Sequence, residues 1–154
     1  MNLYIVATPI GNLEDISFRA VRILSEVDYI LSEDTRVVQK LLGHYNIKKP
    51  LISFHHHTGM ETFEKVLRDL EKGKSIALVS DAGTPNISDP GGQLVEFVRK
   101  NNPQINIEPI PGASAITTAL SVAGIKADKF SFFGFLPHKK GRMTMLKEIL
   151  ASPY

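Results

Sequence analysis

Five short apolar runs are strung along this chain at strand length, and between them apolar residues recur every three to four positions. The runs are Leu3 to Ala7, Tyr29 to Leu31, Leu51 to Phe54, Ile76 to Val79 and Ile105 to Ile110. Alternation of this kind is the pattern of a parallel α/β sheet, in which each strand is buried on both faces and each crossover is a helix laying one apolar stripe on the sheet. After Asp15, read as an N-cap, Ile16, Ala20, Ile23, Leu24 and Val27 make such a stripe. Phe63, Val66, Leu67 and Leu70 make a second, and Leu94, Val95 and Val98 a third. Ala115 to Val122 is nearly all apolar, which predicts a buried helix. No internal repeat or low-complexity linker interrupts the series.

Past Ile125 the texture changes. Phe130 to Phe135 reads as a further strand, and Arg142 to Leu150 as a basic helix. One strand and one helix cannot readily bury their own apolar faces, so the expectation is a five-stranded, mainly parallel α/β domain over residues 1–126. Residues 127–154 are then a linker and the first strand and helix of a truncated second α/β domain. A sixth strand of the same sheet is the alternative.

Composition narrows the chemistry. With no cysteine, disulfides, thiolate nucleophiles and Cys-based zinc sites are excluded, leaving oxygen and imidazole chemistry. No apolar run approaches the roughly 20 residues needed to cross a bilayer, so a cytoplasmic protein is expected. A net charge of +2 does not by itself mark a nucleic-acid binder, although His138-Lys139-Lys140-Gly141-Arg142 with Lys147, and Lys48-Lys49, are locally basic.

In open parallel sheets ligands sit beyond the carboxyl ends of the strands, where loops and helix N-termini converge. The unusual residues of this chain fall there. They are Thr8 to Asn12 after the first strand, Ser32 to Arg36 after the second, Ser80 to Gly92 after the fourth, and Pro111 to Ala115 after the fifth. Neither G-x-G-x-x-G nor G-x-x-x-x-G-K-[ST] occurs, which disfavours NAD, FAD and ATP. The loops offer glycines for close backbone approach, prolines for fixed turns, and carboxylates. That suits a ligand with a cationic group, hydroxyls and an aromatic base, and S-adenosylmethionine is such a ligand, with an ammonium and a sulfonium that Asp81 or backbone carbonyls could face. Taken singly, each loop is also ordinary turn chemistry.

Taken together, the strings Ile5-Val6-Ala7-Thr8-Pro9-Ile10-Gly11-Asn12-Leu13, Ser32-Glu33-Asp34-Thr35-Arg36, Leu78-Val79-Ser80-Asp81-Ala82-Gly83-Thr84-Pro85, Ile110-Pro111-Gly112 with Ser114-Ala115, and Gly134-Phe135-Leu136-Pro137 are similar to one family. They resemble the ribosomal RNA small subunit methyltransferases I, within the tetrapyrrole methylase superfamily. The resemblance implies S-adenosylmethionine-dependent methylation of the ribose 2′-hydroxyl of a cytidine in the decoding region of 16S ribosomal RNA. It implies a cofactor cleft between two domains, a homodimer, and small-subunit RNA as partner. Pro9, Asp81, Gly83, Thr84, Ser114 and Ala115 match the family's cofactor contacts on this side of the cleft. Two departures stand out. His55-His56-His57-Thr58-Gly59 lies where the family more usually shows His, an acid, His, Asn and Glu, and Ala113 replaces a common proline.

Glu33, Asp34 and Arg36 are the catalytic or RNA-contacting candidates, and a weakly nucleophilic ribose hydroxyl would gain from Glu33 or Asp34 as base. A surface ion pair is the plainer reading of the same three residues. Asp89 precedes proline and is read as a helix cap outside the site. Of the three histidines only His55 and His57 can share a side of a strand, and no third ligand is evident, so no metal is assigned. The rival functions are a tetrapyrrole, precorrin or protein methyltransferase of the same superfamily and, from another class, a non-catalytic RNA-binding module.

Overall fold

The computed structural model describes residues 1–89 and 91–153. Pro90, in the loop after the fourth expected strand, and Tyr154, last of the expected second segment, lie outside the described residues. Five strands form, β1 (Asn2–Val6), β2 (Tyr29–Ser32), β3 (Leu51–Ser53), β4 (Ser75–Val79) and β5 (Asn106–Ile110). All pairings are parallel, in the order β3-β2-β4-β1-β5.

The continuous apolar runs follow from two-sided burial. Along β1, Leu3 and Ile5 enter one core cluster while Tyr4 and Val6 pack with the other. In β4, Ile76 and Leu78 alternate with Ala77 and Val79 in the same way. The first cluster is closed by Phe63, Val66 and Leu70 of α3 (Met60–Glu71) and by Leu94 and Val98 of α4 (Gly91–Asn101). The second is closed by Ala20, Ile23 and Leu24 of α1 (Phe18–Glu26) and by Val38 and Leu42 of α2 (Thr35–His44). Helices α1 and α2 therefore cover one face of the sheet, and α3 and α4 the other. The chain leaves β2 and β1 toward the first pair of helices and leaves β4, which lies between them, toward the second. This divergence opens a crevice at the carboxyl end of β4, the topological switch point at which such sheets bind ligands.

Local signals explain the elements, with two corrections. Ser17 caps α1, its side chain accepting from the Ala20 N–H at 3.1 Å. Asp15 instead ends a single 3₁₀ turn, Leu13–Asp15, capped by Asn12. Helix α2 was not expected, although Val38, Leu41 and Leu42 carry helical spacing and Asp34 caps it through the Arg36 N–H. One polar network is drawn into the core: the Tyr29 hydroxyl donates to Asp69 at 3.2 Å, and Lys74 pairs with the same carboxylate at 2.8 Å. Burial first, then the Asp69 charge, pushes the Tyr29 hydroxyl well above its ordinary range, while the Lys74 hydrogen bond holds Asp69 below its own. Among the described residues, no helix is long and apolar enough to cross a membrane.

By contact density the chain divides into two compact units, Met1–Ala115 and Ile116–Tyr154. The first holds the sheet. The second holds most of α5 (Ala115–Val122) and all of α6 (Arg142–Ala151), and none of its described residues is buried. Two expectations fail here. Residues 130–135 form no strand, because among the described residues no neighbouring strand pairs with their backbone groups, and Gly134 takes a left-handed φ of 72°. Helix α5 is not buried, since apolar composition confers burial only where another element covers it.

Candidate functional site

At the carboxyl edge of β4, β1 and β5 three loops are tied into one surface. Thr8 and Gly83 exchange backbone hydrogen bonds of 2.9 and 3.0 Å. The Thr8 hydroxyl donates to the Ser80 carbonyl at 3.1 Å, and the Ser80 hydroxyl to the Gly83 carbonyl at 3.2 Å. Gly83 has a φ of 83°, which favours glycine, and a Cβ there would lie 3.3 Å from Ile10. The Thr84 hydroxyl reaches the Ala113 carbonyl at 3.2 Å, joining the β4 loop to the β5 loop. Gly112 lies so near β1 that a Cβ would come within 2.9 Å of the Ala7 Cβ. Pro9, Asp81, Gly83 and Thr84 thus share a frame fixed largely by backbone, and Ser114 and Ala115 follow on the β5 loop at the start of α5. The β4 loop holds backbone strain, since Asn86 and Ser88 adopt φ of 72° and 70° without being glycine.

The second group of candidates divides. Asp34 accepts from the Arg36 backbone N–H at 2.9 Å, from its Nε at 3.0 Å and from its Nη2 at 2.6 Å. These bonds hold the Asp34 carboxyl down to about 2. So weak a proton acceptor is a poor general base near neutral pH. The Asp34 backbone N–H donates to Asp81 Oδ1 at 3.0 Å, so Asp81 joins the β4 loop to the start of α2. Glu33 lies apart from that pair. It lines a small recess with Phe54, Pro85, Asn86 and Asp89, at the ends of β2 and β4.

Asp89, set outside the site on sequence grounds, lies in the same recess as Glu33 and is a further candidate. Its carboxyl is pushed above the usual range, first by partial burial and then by the charges of Glu33 and Asp81, against a hydrogen bond with Ser80. The signal was present in the repeated Ser-Asp pairs, Ser80-Asp81 and Ser88-Asp89, of one loop. The proline after Asp89 made capping the simpler reading. Within the same recess the Asn86 Oδ1 is buried and makes no hydrogen bond with the described residues.

A larger cavity of about 430 Å3 opens between the β1 loop, α2 and the β4 loop. Thr8, Pro9, Leu13, Val37, Leu41 and Asp81 are among its walls, and Lys40 stands at its edge. In the histidine segment, the His57 N–H donates to His55 Nδ1 at 3.2 Å, and His55 and Thr58 close a turn through bonds of 2.8 and 2.9 Å. Among the described residues no three metal-ligating side chains gather.

The family model of the tetrapyrrole (corrin/porphyrin) methylases matches residues 2–150. The chain belongs to the tetrapyrrole methylase family. Among its relatives, the ribosomal RNA small subunit methyltransferase I of Halalkalibacterium halodurans is 51% identical over 147 residues, covering 95% of this chain and 50% of that protein. The protein of the same name from Thermotoga maritima is 50% identical over 147 residues, covering 96% of this chain and 65% of that protein. The chain therefore spans about half to two thirds of the length of these tetrapyrrole methylase relatives. Among solved structures, a diphthine synthase superposes with a TM-score of 0.67 at 17% identity, over 85% of this chain and 52% of the other. A uroporphyrin-III-C-methyltransferase from Thermus thermophilus does so with a TM-score of 0.58 at 21% identity, over 83% and 54%. At these identities the structural likeness speaks for the fold.

Proposed function

We propose that the protein acts in S-adenosylmethionine-dependent methyl transfer to the ribose 2′-hydroxyl of a cytidine in the decoding region of 16S ribosomal RNA. The observation that carries this reading is identity near 50%, over about 95% of the chain, to relatives named as small-subunit ribosomal RNA methyltransferases. The reading extends to a cytoplasmic homodimer acting on the small ribosomal subunit, with residues 1–126 supplying one side of the cofactor cleft and 127–154 opening a second domain.

The three tied loops suit the cofactor. Gly83 and Gly112 keep side chains out of the way, so that backbone groups can be approached closely, and Asp81 places a carboxylate beside them. Pro9, Asp81, Gly83, Thr84, Ser114 and Ala115 would hold it. When bound, it supplies a methyl group activated by its sulfonium, so that the protein's task is mainly to position the acceptor oxygen and exclude water. Of the candidate bases, Glu33 fits better than Asp34, whose carboxylate is held by Arg36. Arg36 is exposed and suits contact with RNA phosphate.

The test incubates the protein as its gene encodes it, with labelled cofactor, on small ribosomal subunits from a strain lacking that gene. A tetrapyrrole and free RNA run alongside. Ribose methylation removes the hydroxyl that cleaves the adjacent phosphodiester in alkali, so label is expected in alkali-resistant dinucleotides. Label in a base or in the tetrapyrrole, with none in those dinucleotides, overturns the ribose assignment.

A further inference from the structure

We propose that the cavity of about 430 Å3 between the β1 loop, α2 and the β4 loop holds the base of the nucleoside whose ribose is methylated, taken out of its stack; this rests on the function proposed above. The cavity shares Pro9 and Asp81 with the six residues assigned to the cofactor, while Gly83, Thr84, Ser114 and Ala115 take no part in its walls. It is a neighbour of the cofactor loops, on the side of β4 covered by α2.

Pro9, Leu13, Val37 and Leu41 present apolar surface. Thr8 and Ser80 also line the cavity, and their hydroxyls already donate to backbone carbonyls. A flat ring with two apolar faces fits such walls, as extruded bases do between apolar side chains in nucleic-acid enzymes. The volume lies at the small end of the roughly 300–1,000 Å3 typical of ligand sites, which suits one nucleoside better than a macrocycle of four pyrroles. Lys40 is exposed at the edge, where the phosphate of the same nucleotide would emerge.

The walls are built in advance. Asn12 caps the 3₁₀ turn that carries Leu13, and the Tyr45 hydroxyl donates to the Leu13 carbonyl at 2.6 Å, fixing that turn against the end of α2. The opposite end of α2 is held by the Asp34 cap and by Asp81. A preformed slot loses less freedom on binding than a mobile one.

The test fills the slot. Val37 is 40% exposed and Leu13 38% exposed, so Val37→Trp and Leu13→Trp can project into the cavity without entering the core. In the protein as its gene encodes it, each variant should keep its affinity for S-adenosylhomocysteine by calorimetric titration. Each should lose about ten- to hundredfold in kcat/KM on small ribosomal subunits. Equal loss of S-adenosylhomocysteine affinity would assign the cavity to the cofactor and overturn the proposal, as would unchanged kcat/KM. Titration of cytidine 5′-monophosphate, followed by NMR with S-adenosylhomocysteine present, reads the slot without turnover. Saturable binding lost in both tryptophan variants supports the proposal even if ribosomal RNA proves not to be the substrate. Failure of the unmodified protein to bind it overturns the proposal even if ribosomal RNA is methylated.

Discussion

Three carboxylates around the end of β4 show how one neighbourhood assigns different work to the same functional group. Asp34 is held ionised by Arg36, Asp89 is pushed toward its neutral form, and Asp81 spends one oxygen on the Asp34 N–H. A carboxylate has about four acceptor positions, so Asp81 retains capacity for a ligand while keeping α2 in place. Asparagine preserves the Oδ1 acceptor and removes the charge. Asp81→Asn is therefore expected to leave the melting temperature unchanged and to weaken S-adenosylmethionine binding about ten- to hundredfold, the loss of one charge-assisted contact. Calorimetry and a thermal melt separate the outcomes, and a mutant that loses stability but not affinity makes Asp81 a turn-former. For Asp89 the linkage runs the other way from Asp34. A carboxyl whose folded value is raised binds its proton more tightly when folded, so stability falls as pH rises through the window above the ordinary carboxylate value of 3.8. Asp89→Asn removes a partly buried charge and its repulsion from Glu33 and Asp81, and should raise the melting temperature at pH 7 by about 1–2 °C, solvent screening keeping the gain small. The gain should vanish in melts below pH 3.8; the same gain at both pH values would make the effect one of shape rather than charge.

At the scale of elements, what could be read in advance was whatever follows from two-sided burial. The five strands stand within a residue or so of the apolar runs; for β1, β2 and β4 this is because a central parallel strand has no polar face to blur its limits. Helix ends were harder to read, since Asp15 and Ser17 are both good caps and only the turn made by Asn12 decides between them. Ser17→Ala should therefore cost about 1 kcal/mol, a fall of about 2–4 °C in melting temperature, while Asp15→Ala should leave it within about 1 °C. The reverse order in a pair of melts would move the cap back to Asp15. Helix α2 is hard to foresee because Ser32 to Arg36 reads as a site loop or a surface ion pair, although Asp34 is a cap as well as a charge. Of the site, the loops at the strand ends were legible because glycine and proline mark them. Asp89 was not, because only the fold of the β4 loop brings it back to Glu33 and Ser80.

At the scale of the molecule, the two units differ in what can hold them. In Met1–Ala115 the helices of the sheet bury Ala20, Leu24, Val38, Phe63, Leu70, Leu94 and Val98 against it. Among the described residues of Ile116–Tyr154 none is buried, and Val122, Ile125, Phe130, Phe132, Phe135 and Leu150 are at least about half exposed. A segment below roughly 40 residues rarely supplies a core of its own, so local opening should concentrate there while the sheet opens only with global unfolding. The same segment carries Lys126, Lys129, Lys139, Lys140 and Arg142, all exposed. Limited trypsin digestion of the 154-residue chain should cut first at one of these five, well before Arg36, Lys65 or Arg99 on the helices of the sheet. The fragment left behind should keep the melting temperature of the intact chain within about 2 °C, since the sheet and its four helices stay whole. First cuts at Arg36, Lys65 or Arg99, or a large fall in the fragment's melting temperature, would show that the sheet unit depends on the second unit for its stability.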